Sequence, residues 1–162
     1  MSKNKDKKKE AVTIDIIRAT IWDAPAIADM WRDMMDEITV PETELPLDGK
    51  ESERFLENLV LKFKLPSQVI FVAKSNFRTI GFIMGYLHYY NFSKNLLGYT
   101  EYFFINKKFR SNGIADALID TFYRDCEVKG AIASDFVTTR PDIWKRKGYK
   151  QIMSTFRRKK GE

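Results

Sequence analysis

Apolar residues recur along the chain with two different periods, and the changes between these periods divide it into elements. Runs rich in β-branched and aromatic residues predict strands, whereas apolar residues at every third or fourth position predict helices. Strands are predicted over 12–19, 68–75, 80–91, 99–106, 131–139 and the closing run YKQIMSTFRR, and helices over 23–37, 51–64, 113–128 and 142–147. The order β-α-α-β-β-β-α-β-α-β predicts one mixed α/β domain with layered packing.

Turn and cap residues set the predicted helix boundaries. Asp23 is a good N-cap for the first helix, with Pro25 in its first turn. The third helix is predicted to begin at Gly113 and to stop before Gly130. We see no repeat and no internal linker that would divide the domain.

Composition limits the classes of protein to which the chain can belong. Its 162 residues, 44% of them hydrophobic, suffice for one domain with a real core. No apolar run approaches the length of a membrane span, so we expect a cytoplasmic protein with no membrane partner. A single cysteine and a single histidine make an intrachain disulfide impossible and argue against a zinc site, so no metal is expected.

The formal charge of +6 lies in two short tails. Residues 1–10 hold five lysines against two acids, residues 157–162 hold four basic residues against one acid, and the body between them is neutral. We therefore predict a disordered basic tail over 1–10, a domain over 11–158 and a second basic tail over 159–162. Short basic tails are usually solvated ends, so nucleic acid is not the expected partner.

Charges within the neutral body are sorted by sign. The segment 29–57 has ten acids against three bases, whereas 107–110 and 140–150 are basic. Each segment alone could be an ordinary helix or loop surface. Together they predict a cleft with an anionic wall for a cationic ligand and a cationic wall for phosphates.

A basic loop joins the predicted strand 99–106 to the third helix. Its sequence, KKFRSNGIA, brings the chain to a helix N-terminus, where unpaired N–H groups and the helix dipole favour phosphate. Gly113 and Ala115 keep that backbone accessible. Mobile positive charge is expected from Lys107, Lys108 and Arg110. Residues 110–115 are therefore predicted to hold a pyrophosphate, although the same loop could be an ordinary strand–helix turn.

This loop lacks the Gly-Lys-(Ser/Thr) of a P-loop and the three glycines of the dinucleotide fingerprint. It resembles the Arg/Gln-x-x-Gly-x-Gly/Ala signature of the GNAT superfamily, the acyl-CoA-dependent N-acetyltransferases. The opening IRATIWDAPAIADMW looks like that family's first strand and helix, and DIWKRKGYKQI looks like its Phe-Tyr-x-x-x-Gly-Phe ending. The stretch TEYFFINKKFRSNGIADALI is similar in spacing to the family's polyamine acetyltransferases. The resemblance extends over residues 12–156 and implies a single-domain GNAT-like fold, with a central mixed, mostly antiparallel sheet flanked by helices.

The resemblance also implies acetyl-CoA as co-substrate. Main-chain groups of Phe103, Phe104 and Ile105 would pair with the pantetheine arm like an added strand, and the Ile105 N–H would donate to the thioester carbonyl. Arg110 would add charge beside the pyrophosphate. The N–H groups expected to hold the pyrophosphate are those of Ser111, Asn112, Gly113, Ile114 and Ala115. Ser111 or Asn112 could also cap the helix.

Glu101 is the predicted general base. It lies nine residues before Arg110, where related enzymes often carry the acid that deprotonates the acceptor. A lysine-like ammonium with a pKa of about 10.4 has no lone pair at neutral pH, so a carboxylate, acting through a water, would take its proton. The alternative is that Glu101 is a strand-surface carboxylate without a role in the reaction.

The chain departs from the family at the residue that protonates the leaving thiolate. Trp144 stands where the family commonly has a tyrosine, and an indole cannot usefully donate this proton. Release of a thiol of pKa about 8.5 as the thiolate at pH 7 costs only about 2 kcal/mol. Tyr149, Tyr123 or a water remain alternatives for the donor, and Trp144 is expected to pack against the pantetheine.

Two further residues are less favoured as functional groups. His88 lies among tyrosines at the end of a strand, where most histidines are structural. Cys126 has the spacing of the apolar helix face, and no histidine pairs with it for nucleophilic catalysis. Direct amine attack in a ternary complex is therefore preferred over an acyl-enzyme.

The sequence thus predicts an N-acetyltransferase that moves acetyl from acetyl-CoA to a primary amine. The acidic segment 29–57 favours a cationic acceptor, which could be polyamine-like, aminoglycoside-like or a lysine side chain. The rival interpretation is a non-catalytic acyl-CoA-fold module that binds a protein or nucleic acid through its basic tails. The oligomeric state is left open, and a homodimer is allowed.

Overall fold

The computed structural model describes residues 13–38, 49–90, 93–110, 112–136, 141–148 and 150. Its strands are β1 (Ile14–Arg18), β2 (Gln68–Ser75), β3 (Arg78–Tyr89), β4 (Leu96–Ile105) and β5 (Ala131–Phe136). Its α-helices are α1 (Ala24–Ile38), α2 (Glu51–Lys62), α3 (Ile114–Val128) and α4 (Pro141–Arg146). Within these ranges, no helix has the length and apolar character required to cross a bilayer. The predicted closing strand and both predicted tails lie outside the described residues.

The described strands form one five-stranded sheet in the order β1-β2-β3-β4-β5. The pairs β1–β2, β2–β3 and β3–β4 are antiparallel, whereas β4 and β5 are parallel. Parallel neighbours need a crossover connection, and α3 supplies it between β4 and β5. The predicted mixed, mostly antiparallel sheet is therefore confirmed.

Helices cover both faces of the sheet. On one face, α1 and α2 pack against a core that includes Trp31, Phe55, Leu59, Ile70, Val72, Phe82, Met84 and Phe104. On the other, α3 packs against a core that includes Val69, Phe71, Ile83, Ile105, Leu118, Ile119 and Phe122. Because successive residues of β2 enter opposite cores, this strand is a continuous apolar run rather than an alternating one.

The start of α1 differs from the prediction. Asp23 is not a simple N-cap but the last residue of a 3-10 turn, Ile21–Asp23, which leads into α1. The N–H and Oγ1 of Thr20 donate to Asp23 Oδ2 at 2.9 and 3.1 Å, and Lys74 Nζ lies 2.6 Å from Asp23 Oδ1. Asp23 is buried, so these donors compensate a carboxylate that would otherwise be costly to desolvate.

The start of β4 also differs from the prediction. The strand begins at Leu96, before the start predicted at residue 99. Leu96 pairs with Tyr89 on one side and with Ala131 on the other. Pairing on both edges therefore extends the strand beyond its own β-propensity.

Candidate active site

The second half of β4 has a free edge among the described strands. Its register with β5 covers Leu96 to Thr100, whereas its register with β3 continues to Ile105. The N–H of Asn106 donates to Ile80 O at 2.9 Å, so the hydrogen-bonding groups of alternate residues face β3. By that alternation, Phe103 and Ile105 direct their main-chain groups away from β3, towards the edge where an extended ligand can pair.

The three residues predicted to contact the pantetheine are therefore not equivalent. Phe103 presents its main-chain groups at the free edge, whereas Ile105 presents its N–H there and its carbonyl accepts from Arg110 Nε. Phe104 lies opposite Phe82 in the ladder with β3, and its buried side chain lines a cleft of about 690 Å³ beside α1. Sequence spacing alone could not separate these roles, because it does not say which strand edge is paired.

A β-bulge sets the orientation of Glu101. Met84 lies opposite Tyr102 and Gly85 opposite Thr100, so Glu101 has no residue opposite it in β3. Strict alternation would place Glu101 on the α3 face, opposite to Tyr102. Instead, its carboxylate reaches α2 and forms an ion pair with Lys62, the last residue of that helix. A bulge that reorients one side chain is a recurrent feature beside active sites.

The carboxylate of Glu101 lies among tyrosines. Burial raises the pKa of Tyr86, and the negative charge of Glu101 raises it further. The pKa of Tyr102 is raised by the same two causes in the same order. The Tyr86 ring lies 5.3 Å from that of Tyr99, and His88 joins them at 5.6 Å from Tyr86. Sequence reasoning identified Glu101 but missed Lys62, which is 39 residues away and carries no local signal.

The predicted pyrophosphate loop begins with a 3-10 turn over Lys107–Phe109 and ends at Gly113. Gly113 is the N-cap of α3, with φ +72° and no side-chain cap hydrogen bond. A Cβ on Gly113 would meet nothing within 4 Å, so the space in front of the helix is open on the protein side. Glycine is favoured here by its backbone conformation rather than by crowding.

The other residues of this loop contribute through the main chain. The N-cap of α3 is Gly113 rather than Asn112, and Asn112 Nδ2 donates to Phe109 O at 3.4 Å. The Ile114 side chain is buried in the core, and Ala115 is packed against that core. Ser111 lies outside the described residues. The first N–H groups of α3 thus have no side-chain cap among the described residues and are available to an anion.

Arg110 is held rather than mobile. Its Nη2 donates to both carboxylate oxygens of Glu37 at 3.1 and 3.0 Å, and its Nε donates to Ile105 O at 2.8 Å. Its Cζ lies 5.2 Å from the centre of the Phe104 ring. Lys107 approaches the same Glu37 carboxylate at 3.6 Å. Arg110 therefore ties the loop to α1, and sequence reasoning missed Glu37 as its partner.

Trp144 lies at the end of a row of aromatic rings. Its ring centre is 4.4 Å from that of Phe136, which in turn is 5.7 Å from that of Phe103 on β4. Lys147 Nζ is 5.7 Å from the Trp144 ring centre. This row extends from the free edge of β4 to α4, so Trp144 is placed for packing. Tyr149, a predicted proton donor, lies outside the described residues.

These features fit an acyl-CoA thioester. The free edge can pair with the amides of pantetheine, and the uncapped start of α3 can receive the pyrophosphate. Among the described residues, no three His, Cys, Asp or Glu side chains are grouped to hold a metal ion. Cys126 is buried next to Gly98, and burial raises the pKa of its thiol to about 11.

Comparison with known proteins gives the family. The sequence matches the Acetyltransferase (GNAT) family over residues 29–145, well over half of the chain. No curated protein matches the sequence.

Solved structures of similar fold come from acetyltransferases that differ in the acceptors their names give. The aminoglycoside N-acetyltransferase AAC(6')-Iy in complex with CoA is 16% identical, with a TM-score of 0.73 over 94% of this chain and 98% of that one. The ribosomal-protein-alanine N-acetyltransferase from Brucella melitensis biovar Abortus 2308 is 18% identical, with a TM-score of 0.68 over 92% and 100%. Glucosamine-6-phosphate N-acetyltransferase from Arabidopsis thaliana is 11% identical, with a TM-score of 0.68 over 91% and 98%.

At these identities the structural likeness establishes the fold and does not select an acceptor. The family match, which covers β2 to β5 and the basic loop, identifies the chemistry. The chain belongs to the GNAT family and is an acyl-CoA-dependent acetyltransferase with acetyl-CoA as its co-substrate.

Proposed function

We propose that the protein transfers the acetyl group of acetyl-CoA to a primary amine of a cationic acceptor, by direct attack of the amine within a ternary complex. The observation that carries this proposal is the position of Glu101. The bulge in β4 turns its carboxylate onto the face covered by α1 and α2, four residues before the free N–H of Ile105. A proton acceptor and a donor for the thioester oxygen thus lie on one strand.

Each residue of this arrangement has one role. Glu101 accepts the proton that the ammonium must lose before its nitrogen can attack, either directly or through a water. The Ile105 N–H donates to the thioester oxygen as negative charge develops there. The amides of residues 111–115 hold the pyrophosphate, and Arg110 fixes the loop that presents them. When bound, acetyl-CoA supplies the activated acyl group and a thiolate leaving group.

The proton for the leaving thiolate comes from Tyr149, Tyr123 or a water. Trp144 takes a packing role at the free edge of β4, consistent with its contact with Phe136. An indole N–H is too weak an acid to protonate a thiolate, so removal of Trp144 should affect acetyl-CoA binding more than the pH profile.

Charge favours a cationic acceptor. The cleft beside Phe104 is lined on the α1 side by Asp33, Asp36 and Glu37 and on the loop side by Lys107 and Lys108. Because Glu37 is paired with Arg110 and Lys107, the carboxylates left for a cationic acceptor are those of Asp33 and Asp36. These carboxylates lie on the same face of the sheet as Glu101. A polyamine, an aminoglycoside or a lysine side chain could place one amine at Glu101 and a further cation along this wall. The similar solved structures differ in the acceptors their names give. The proposal of a cationic acceptor therefore rests on the charges of this chain.

The test is a thiol-release assay with acetyl-CoA and a panel of amines: spermidine, kanamycin, a lysine peptide and a neutral arylamine. We expect turnover with the cationic amines. Glu101→Gln should turn over at least about a hundredfold more slowly, because a general base contributes about 10²–10⁴-fold to the rate. Glu127→Gln is the matched control, since Glu127 is exposed on α3, on the opposite face of the sheet. An undiminished turnover rate in Glu101→Gln at saturating substrates would exclude Glu101 as the base.

A further inference from the structure

The ion pair between Lys62 and Glu101 is not used by the proposed reaction. Lys62 Nζ contacts Glu101 Oε2, and the two side chains are only 25% and 22% exposed. Water screens such a pair less than it screens a surface pair, so the ammonium and the carboxylate interact appreciably. The carboxylate that an acceptor ammonium would need is therefore already paired with a cation of the protein.

Helix α2 positions Lys62 beside Glu101. It is the last residue of α2, and the helix is anchored one turn earlier by Leu59, which is fully buried. The main chain continues its turn beyond Lys62, because the Leu65 N–H donates to Lys62 O at 3.0 Å. The lysine backbone is thus fixed, while the four-carbon side chain can still change rotamer.

The Lys62 side chain has open space beside it, into which it can turn when it leaves Glu101. Lys62 lines a cleft of about 300 Å³ next to the end of α2, together with Arg18, Lys64 and Gln68. Arg18 in that cleft is paired with Asp125 at 2.9 Å. Arg18 and Lys64 make this cleft basic, so an ammonium displaced from Glu101 would extend into solvent at the mouth of the cleft rather than pair within it.

Resting on the proposed function, we propose that Lys62 is a specificity-determining residue whose ammonium occupies the acceptor's ammonium position at Glu101 until an acceptor displaces it. Two ammonium groups at one half-buried carboxylate would leave a net positive charge, so only one is accommodated. Exchange of the Lys62 ammonium for the acceptor ammonium contributes little binding free energy by itself. A productive acceptor must therefore gain affinity elsewhere, through a second cationic group, and the class of substrate becomes amines with at least two positive charges.

Removal of the internal cation tests this assignment. We expect Lys62→Met to lower the KM for spermidine about tenfold, which corresponds to about 1.4 kcal/mol, with the KM for acetyl-CoA unchanged. Lys62→Arg keeps the charge and should retain the wild-type KM. Lys94→Met, at an exposed lysine that lines neither cleft, should also leave it unchanged. 4-Methylaniline, which is neutral at the assay pH, should be a poor acceptor with or without Lys62.

The outcomes separate this proposal from the proposed function. An unchanged or higher KM for spermidine in Lys62→Met, with Glu101→Gln inactive, overturns the displacement model and makes Lys62 a residue that positions Glu101. Turnover of 4-methylaniline but not of spermidine, with or without Lys62, overturns it as well. Activity that is independent of Glu101 refutes the base role instead. Lys62→Gln repeats the test should Lys62→Met fail to fold, and a thermal melt of each variant checks the fold.

Discussion

Arg110 in the loop before α3 forms a two-oxygen contact with Glu37 in the last turn of α1, although 73 residues separate them. The same guanidinium donates to Ile105 O at the end of β4. The Arg110 side chain therefore joins β4, the loop before α3 and α1. The loop that we propose to hold the pyrophosphate is held in place by α1 as well as by its own turn.

This contact predicts energetic coupling between the two residues. In a double-mutant cycle of Arg110→Ala and Glu37→Ala, we expect a coupling energy of about 0.5–1 kcal/mol in the free energy of unfolding, because both side chains are partly exposed. Urea denaturation measures it. Lys108→Ala, at an exposed lysine of the same loop, should show no coupling with Glu37→Ala. Strictly additive energies would mean that the contact does not stabilise the loop.

Gly113 should matter for stability and for acetyl-CoA binding through different causes. Gly113→Ala should cost about 1 kcal/mol of unfolding free energy, because alanine disfavours a φ of +72°. No clash adds to this cost, since a Cβ would meet nothing within 4 Å. If pyrophosphate lies against this turn, the new methyl group should also raise the KM for acetyl-CoA.

Gly130→Ala supplies the matched comparison for Gly113→Ala. Gly130 follows the other end of α3 with φ +96° and equally open surroundings. It should lose a similar amount of stability and leave the KM for acetyl-CoA unchanged. Equal KM values for the two variants would place the pyrophosphate elsewhere.

Cys126 should be unreactive in the folded protein. Its thiol is buried, and burial raises its pKa to about 11, so at about pH 8 it is both protonated and shielded. We expect no reaction with Ellman's reagent until guanidinium chloride unfolds the chain, when the one cysteine should titrate fully. Rapid labelling of the native protein would contradict the buried position. The prediction also means that free CoA can be assayed without interference from the enzyme.

Asp23 should make stability depend on pH in the acid range. Burial alone would raise its pKa, but the hydrogen bonds from Lys74 and Thr20 outweigh burial, and the net pKa lies below 3.8. A lowered folded-state pKa means that the stabilisation is complete above the unfolded pKa and is lost as pH falls through the folded value. Asp23→Asn should therefore cost about 1–2 kcal/mol at neutral pH.

The pH dependence of that cost is the diagnostic measurement. The difference in unfolding free energy between the wild type and Asp23→Asn should be constant above about pH 5 and should shrink below about pH 4. Asp15→Asn, at an exposed carboxylate on β1, is the control and should show little difference at any pH. A difference that grows as the pH falls would mean that folding raises the pKa of Asp23, and would refute the lowered pKa.

The sequence by itself determined the described elements and their order, with a basic loop between β4 and α3. These features depend on local patterns: the period of apolar residues, a glycine at a strand–helix junction and a neutral body between basic ends. The helix at Gly113 and the strand 68–75 agree with the structure because backbone conformation and side-chain alternation act between near neighbours.

Only the tertiary structure decided which side chains contact one another. The bulge at Glu101 arises from the register between β3 and β4, and the partners Lys62 and Glu37 arrive from helices 39 and 73 residues away. No local period encodes such pairs, because an ion pair depends on how elements pack and not on the residues beside it in sequence. The sequence therefore named Glu101 as the candidate base, while packing supplied the lysine that pairs with it.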